Sequence, residues 1–287
     1  MLRHLAGIGA ATLLIGACMF LPFMPGQYDG FAATLSAWSQ LVGTVGLLLV
    51  PFGAIWLWYE LKRRRRETAT RPARDLGHGL ALASLAVATL VALGFAAFAW
   101  GIVGRSLGFA VIALWIYCGF RLTRKLKAMK HAAVRTFNPA PLYLVAVPIV
   151  AAVLTFTLVG RAVGFSRNRA MENSAQLIND IERYRDANGH YPPSLLALWQ
   201  DHYKPLVIGI EKYHYELNGE AYNVFFEQLS DQLGTREIVM YNKRDEHVMT
   251  SHTTDLLTLT PAELAYQRGY YAVNNASRPH WKYFWFD

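Results

Sequence analysis

Six of the nine histidines fall after residue 163: His190, His202, His214, His247, His252 and His280. Imidazole at this density is what divalent-metal sites and general acid–base catalysis draw on. The spacing gives little support. None of the six makes the i, i+4 pair with a glutamate that marks a helix-borne zinc site, and His202 and His214 are separated by a proline-broken connection. His247 and His252 could still converge with His214 across a sheet. The sequence holds no Gly-x-Ser-x-Gly elbow, phosphate-cradling loop or dinucleotide fingerprint, and no cysteine follows Cys118, so a thiol nucleophile is excluded from this half. Asp180, Glu182 and Asp186 alternate with Arg183 and Arg185, the pattern of a solvated helix face. No catalytic residue, cofactor or metal ligand is assigned. The aromatic carboxyl end, Trp281-Lys-Tyr-Phe-Trp-Phe286, has two readings: an edge strand completing a core, or a docking or membrane-interface surface built on Trp281, Tyr283 and Trp285.

The elements that must carry these residues begin with a membrane half. Stretches 5–23, 40–59, 80–103, 107–120 and 141–160 contain no Asp, Glu, Lys, Arg or His. A bilayer core asks for about 20 apolar residues, so the fourth run is short and is extended to 104–122 by snorkelling of Arg121; the fifth extends to 163. Spans free of ionisable groups argue for an anchor rather than an ion path. A channel or transporter would have to use hydroxyls such as Thr44, Ser84, Thr89, Tyr117, Thr155 and Thr157. Small residues recur three or four apart from Gly79 through Ala97, which predicts that the third span packs centrally. Pro51 and Pro148 predict kinks. Trp38, Trp56, Trp58, Tyr59, Trp100 and Trp115 lie near span ends, as headgroup anchors do.

Charge orients this half. Residues 1–163 hold 16 Lys/Arg against 4 Asp/Glu, and residues 164–287 hold 12 against 16, so the net +8 belongs to the membrane half and not to a nucleic-acid surface. Arg3, the run Lys62–Arg66 with Arg71 and Arg74, and the run from Arg121 to Arg135 fall on one side, 14 cations against Arg105 and Arg161 on the other. The positive-inside rule then places the amino terminus in the cytoplasm and residues after about 161 outside. Ile15-Gly16-Ala17-Cys18 is similar to a lipoprotein cleavage site, but the apolar run continues to Phe23, so an uncleaved first helix is expected. Cys18 and Cys118 lie toward the outer end of the first span and the inner end of the fourth, so no disulfide between them is expected.

In residues 164–287, Arg169–Ala187 reads as a helix with Met171, Ala175, Ile178, Ile181 and Tyr184 on one face, stopped at Asn188-Gly189. It is expected to be nearly continuous with the last span, roughly 70 Å at 1.5 Å per residue. Tyr191-Pro192-Pro193 is extended, and Ser194 caps a short helix, Leu195–Gln200. Asn218-Gly219 predicts a hairpin pairing Leu217 with Glu220, Tyr215 with Tyr222 and Tyr213 with Val224. Glu237–Asn242 and Glu246–Thr250 suggest a second hairpin around Lys243-Arg244-Asp245. Thr260-Pro-Ala-Glu263 is a capping box opening a helix through Leu264–Tyr271.

The run Ala175-Gln-Leu-Ile-Asn-Asp-Ile-Glu-Arg-Tyr184, then Asn188-Gly189-His190-Tyr191-Pro192-Pro193-Ser194-Leu195-Leu196-Ala197-Leu198, resembles the major pseudopilins of type II secretion systems over residues 166–226. The resemblance implies a long helix packed on an antiparallel sheet, in a bacterial, extracytoplasmic setting. The chain departs from that family in two ways. The last span begins Pro139-Ala-Pro-Leu-Tyr-Leu after four others, without a leader junction, and no acidic cluster matches the family's calcium loop. The expected architecture is a helical membrane bundle of about five spans (residues 1–163) and a pilin-like α+β domain (164–287) in the periplasm. The expected role is non-catalytic, in assembly, envelope organisation or sensing, with the lipid bilayer and a protein of the envelope as partners and no nucleic acid. The alternatives are an exported hydrolase or metal-dependent enzyme using the histidines, and a channel or transporter subunit.

Overall fold

The computed structural model describes residues 2–66, 77–102, 105–130, 137–198, 203–232, 235–266 and 273–286. Arg71, Arg74, Arg135, His202, the end of the helix expected at 195–200 and residues 267–271 lie outside them. The chain divides into two compact units: Met1–Ala17 with Trp38–Phe156, and Cys18–Ala37 with Thr157–Asp287. Among the described residues, four helical segments are long and apolar enough to cross a bilayer, as in a multi-pass membrane protein: Leu2–Phe23, Gly30–Arg63, Gly77–Ala97 and Ala140–Asn188. A fifth helix carries the short apolar run 107–120.

Helix α1 (Leu2–Phe20) is followed by α2 (Gly30–Thr44) and α3 (Val50–Arg66), then α4 (Gly77–Ile102), α5 (Arg105–Lys130) and α6 (Ala140–Asn173), of which residues 18–37 and those after 156 belong to the second unit. The second apolar segment starts ten residues before the expected span, where α2 begins at Gly30, and Ser36, Ser39 and Gln40 within it are buried. Residues 45–49 between α2 and α3 form a 3₁₀ turn. Pro51 has no N–H to offer the Leu47 carbonyl four residues back, and Val50 N–H takes that oxygen instead. Pro148 stays inside α6 without ending it.

The small-residue span packs closely on α5, where a Cβ on Gly108 would stand 3.1 Å from Ala96 O, but not through its glycines, and a second close seam carries no such pattern. Gly79, Gly94 and Gly101 of α4 have open space beside them. In the second seam a Cβ on Gly43 would stand 2.7 Å from the backbone of Ala151, and one on Gly53 or Gly46 would stand 2.9 Å from Leu144 Cβ or 3.3 Å from Pro148 Cβ. Between apolar helices in lipid there is no hydrophobic drive, so contact depends on how near the backbones come, and glycine permits the nearest approach. The α4 helix pairs with α5: Trp115 Nε1 donates to Thr89 Oγ1 at 3.3 Å, and the rings of Trp100 and Phe109 lie 4.9 Å apart, an antiparallel pair. Trp58 and Trp100 are exposed as anchors would be, whereas Trp56 is buried and donates to Glu60.

In the second unit α6 runs on into α7 (Ala175–Asn188). Ser174 between them keeps helical angles, with its N–H on Ala170 O and its carbonyl accepting Ile178 N–H, so the expected near-continuity holds. Gly189 ends the run in the left-handed conformation. The buried stripe is Ala170, Met171, Ser174, Leu177 and Ile181, while Ala175 is exposed; Ser174 is tolerated inside because its hydroxyl returns to Met171 O at 2.8 Å.

The strands are β1 (His214–Asn218), β2 (Ala221–Leu229), β3 (Arg236–Asn242), β4 (Asn274–Asn275) and β5 (Trp281–Phe286). They form one antiparallel sheet ordered β1-β2-β3-β5-β4. The first hairpin turns at Gly219-Glu220, not Asn218-Gly219, so Leu217 pairs with Tyr222 and Tyr215 with Val224. Only Gly219 takes a positive φ, +59°, the pattern of a II′ rather than a I′ turn. The shift is two residues, so every side chain keeps its expected face.

Residues 246–250 are not a strand. The Asn242 side chain accepts the N–H groups of Arg244 and Glu246, Asp245 turns the chain with φ +59°, and β5 takes the place beside β3. This makes β5 an inner strand, bordered by short β4, rather than an edge. Val248 and Met249, with α8 (Thr253–Thr258) and α9 (Pro261–Tyr266), cover the sheet face opposite α7, where Phe225, Ile238, Met240 and Phe284 are buried. The capping box is present, with Thr260 N–H on Glu263 Oε2 at 2.8 Å.

Gly43→Ala should lower the stability of the full-length protein in detergent by about 1–3 kcal/mol through overpacking. Gly79→Ala, with room and better helix propensity, should leave it unchanged or raise it slightly. Equal thermal shifts for the two variants would remove the seam.

Candidate functional site

The side chains with most chemical content in the second unit gather where the end of α6 meets the sheet. Glu237 on β3 has no exposed surface, which forces it to find a partner. Arg167 of α6 supplies one in fork geometry: Nε and one terminal nitrogen each donate to a carboxylate oxygen at 2.8 Å. Gln228 of β2 donates to Glu237 Oε1 at 2.5 Å and to Val163 O at 3.2 Å, and accepts from Ser166. The Arg167 guanidinium also lies 3.5 Å from the centre of the Tyr283 ring on β5. Burial pushes the Glu237 carboxyl up, and the hydrogen bonds and charge of Arg167, with Gln228, pull it back down. One helix is thereby keyed to the three central strands.

A row of tyrosines continues this interface along α7. Tyr213 OH donates to Ala170 O at 2.6 Å, Tyr222 OH to Glu182 at 3.0 Å, Tyr203 OH to Asp180 at 2.5 Å and Tyr215 OH to Pro192 O at 2.8 Å. Lys243 Nζ joins Glu182 at 2.8 Å. Asp180 and Glu182, read as a solvated face, are therefore acceptors for the sheet and its connections. Period alone cannot show this, because the donors come from 23 to 61 residues away.

The docking candidates separate. Trp281 is buried in the core between sheet and helix, which is the strand reading; Tyr283 is half-buried under Arg167; Trp285 is half-buried with its indole N–H unpartnered. The histidines are engaged singly. His214 stacks on Phe225, His247 Nε2 lies 3.0 Å from His280 O, His280 Nδ1 lies 3.0 Å from Asp245, and His190 Nδ1 lies 2.9 Å from Tyr191 O. His252 stands before α8 with its carbonyl accepting from Thr250. Among the described residues no three His, Cys, Asp or Glu side chains are grouped to hold a metal. Burial lowers His214 and His247, keeping both neutral.

A feature without a sequence signal is the seat of the loop between α1 and α2. Gly26 N–H bonds Leu206 O, Ile208 N–H bonds Met24 O, Asp29 N–H bonds Ile208 O and Gly209 N–H bonds Pro22 O, with a bridge between Pro25 and Val207. Leu206 accepts φ +53° to do so, a costly angle for this residue. A cavity of about 230 Å³ opens there between Tyr28, Lys204 and Glu211.

On the opposite sheet face, Glu216 faces Asn223 across the β1–β2 ladder. Burial pushes its carboxyl up to about 7, opposed by a hydrogen bond from Asn223, and its Oε2 has no partner. It is a protonatable group at neutral pH, unlike the neutral tyrosines around α7.

Comparison with protein-family models, curated proteins and solved structures returned no match for this chain.

Removing Glu237 alone (Glu237→Ala) leaves the Arg167 charge uncompensated and should cost about 3–5 kcal/mol, while Arg167→Met with Glu237→Leu should be near neutral. Thermal unfolding of the full-length variants decides; equal losses for the single and double changes would sink the pairing. A carboxyl raised in the folded state binds more protons than in the unfolded state, so stability falls as pH rises from about 4.5 through 7. Glu216→Gln should remove that fall. With the shift discounted for solvent screening to about 1 kcal/mol, Tm at pH 8 should rise about 2–4 °C and stay unchanged at pH 4.

Proposed function

We propose that this chain is an integral protein of the bacterial cytoplasmic membrane with five crossings, its amino terminus in the cytoplasm and a pilin-like α+β domain in the periplasm. The domain acts non-catalytically, in assembly, envelope organisation or sensing, by offering a fixed surface to a protein partner of the envelope.

The seat of the first loop carries the topological part. Residues 22–29 hydrogen-bond to residues 206–209, so both stand on one side of the bilayer. An even number of crossings must separate them. Gly30–Arg63, Gly77–Ala97 and Ala140–Asn188 supply three. The antiparallel partner of α4, helix α5, supplies the fourth, which supports five spans. The 14-to-2 bias of cations favours the outside for this side. The domain part is supported by the order of elements: a long helix, a left-handed glycine, a Tyr-Pro pair, a short 3₁₀ turn at Leu195–Leu198 and an antiparallel sheet. A non-catalytic role is favoured by where the polar side chains go, since Arg167, Glu237, Gln228, Glu182 and Asp180 tie helix to sheet.

Single cysteines at Tyr28 and Glu220, in a Cys18→Ser, Cys118→Ser background, should react with an impermeant maleimide in intact spheroplasts; one at Arg71 should react only after lysis. Labelling at Arg71 with protection at Glu220 would reverse the topology. For the role, cross-linking of the full-length protein should give a stoichiometric envelope partner that is lost on deleting residues 165–287. A protein that stays alone in the membrane would overturn the assembly reading.

A further inference from the structure

In the first unit a cavity of about 490 Å³ lies among α3, α4, α5 and α6, walled by Trp56, Ala81, Ser84, Ala88, Trp115 and Leu122 with a few further apolar neighbours and Tyr143, whose hydroxyl lies 3.5 Å from His4 Nδ1. The volume is within the range of small-molecule sites, and the walls are almost wholly apolar. One group breaks the pattern. Ser84 is 4% exposed and its Oγ has no hydrogen-bond partner. Thr12, Thr44, Thr89 and Thr155 each return their hydroxyl to a carbonyl of their own helix, the usual solution in an apolar medium. Ser84, on the cavity wall, does not, so a buried donor is left for an acceptor that comes from outside the protein.

The position selects the occupant. Ala81 and Ser84 fall within the first two turns of α4, so Ser84 is roughly 10 Å along the helix from its start at 1.5 Å per residue. Leu122 precedes the basic end of α5, and Trp56 precedes the basic end of α3. At these same ends Lys62 is held 4.5 Å over Trp58 and Arg124 4.3 Å over Phe120, and Arg121 bonds Tyr117 OH at 2.9 Å. An apolar slot walled by residues that precede cationic helix ends, with one buried hydroxyl on its wall, is complementary to an anionic lipid and not to a neutral solute.

We propose that the cavity holds one acyl chain of an anionic glycerophospholipid, with Ser84 Oγ donating to an ester carbonyl and the phosphate among the cationic ends of α3 and α5. The site is independent of the periplasmic domain and of the role proposed for it.

The test uses the full-length protein, delipidated in detergent and titrated with phosphatidylglycerol or phosphatidylcholine of the same chains, read by native mass spectrometry. One phosphatidylglycerol should be retained at least tenfold more tightly than phosphatidylcholine. Ala88→Phe, which fills the slot, should weaken retention tenfold or more, and Ser84→Ala about threefold with Tm in lipid-free detergent unchanged. A phosphatidylglycerol carrying a diazirine in its chain reports on the wild type alone: adducts should fall within 81–88, 115–122 and 140–144. Equal retention of the two lipids, full retention by Ala88→Phe, or adducts spread evenly over the lipid-facing residues would each overturn the proposal.

Discussion

The second unit depends on one buried ion pair. Glu237 sits on the central strand with no exposed surface, a position that would be costly for a carboxylate without a partner. Arg167 answers it from the helix in bidentate geometry and lies flat on Tyr283. Neither pairing could form with the helix rotated by even one residue, since the guanidinium would then point along the sheet instead of into it. The pair therefore fixes the rotation and height of the helix over β2, β3 and β5, and the tyrosines further along α7 meet their carboxylate and carbonyl partners as a consequence. Apolar contacts among Met171, Leu177, Ile181, Phe226 and Trp281 supply stabilisation without direction; the ion pair supplies direction.

A different constraint operates in the first unit. Apolar surface gains nothing by leaving lipid for a helix neighbour, so association rests on contact distance and on the few polar groups that must be matched. Gly43 against Ala151 illustrates the first, and the bond from Trp115 to Thr89 the second. Glu60 shows the same economy at a helix end: nearly buried, it accepts from Trp56 and pairs with Arg63 at 3.2 Å.

Much of this was legible. Apolar runs located the helices, the threonine–glutamate box located α9, Gly189 stopped α7, and alternation in β2 kept its faces even though the hairpin turned one position later than its Asn-Gly dipeptide suggested. What failed did so for a common reason. Glu246–Thr250 has the composition of a strand, but β3 had a competitor of higher apolar content in Trp281–Phe286. Trp56 and Trp115 have the span-end positions of headgroup anchors, yet both line the interior. Ser36, Ser39 and Gln40 are polar in the sequence, yet the structure buries all three.

By itself, then, the sequence determined the local terms: where helices start and stop, which residues alternate, where charge accumulates, and that the chain has segments able to cross a bilayer. Each of these depends on residues within a turn or two of one another, or on transfer free energies that ignore neighbours. Tertiary structure alone decided which strand borders β3, which glycines form the helix seam, that the first loop seats on residues 206–209, and that Arg167 finds Glu237 across 70 residues. Those outcomes are choices among partners distant in sequence, made by shape and by the demand that buried polar groups be satisfied, and no periodicity along the chain records them.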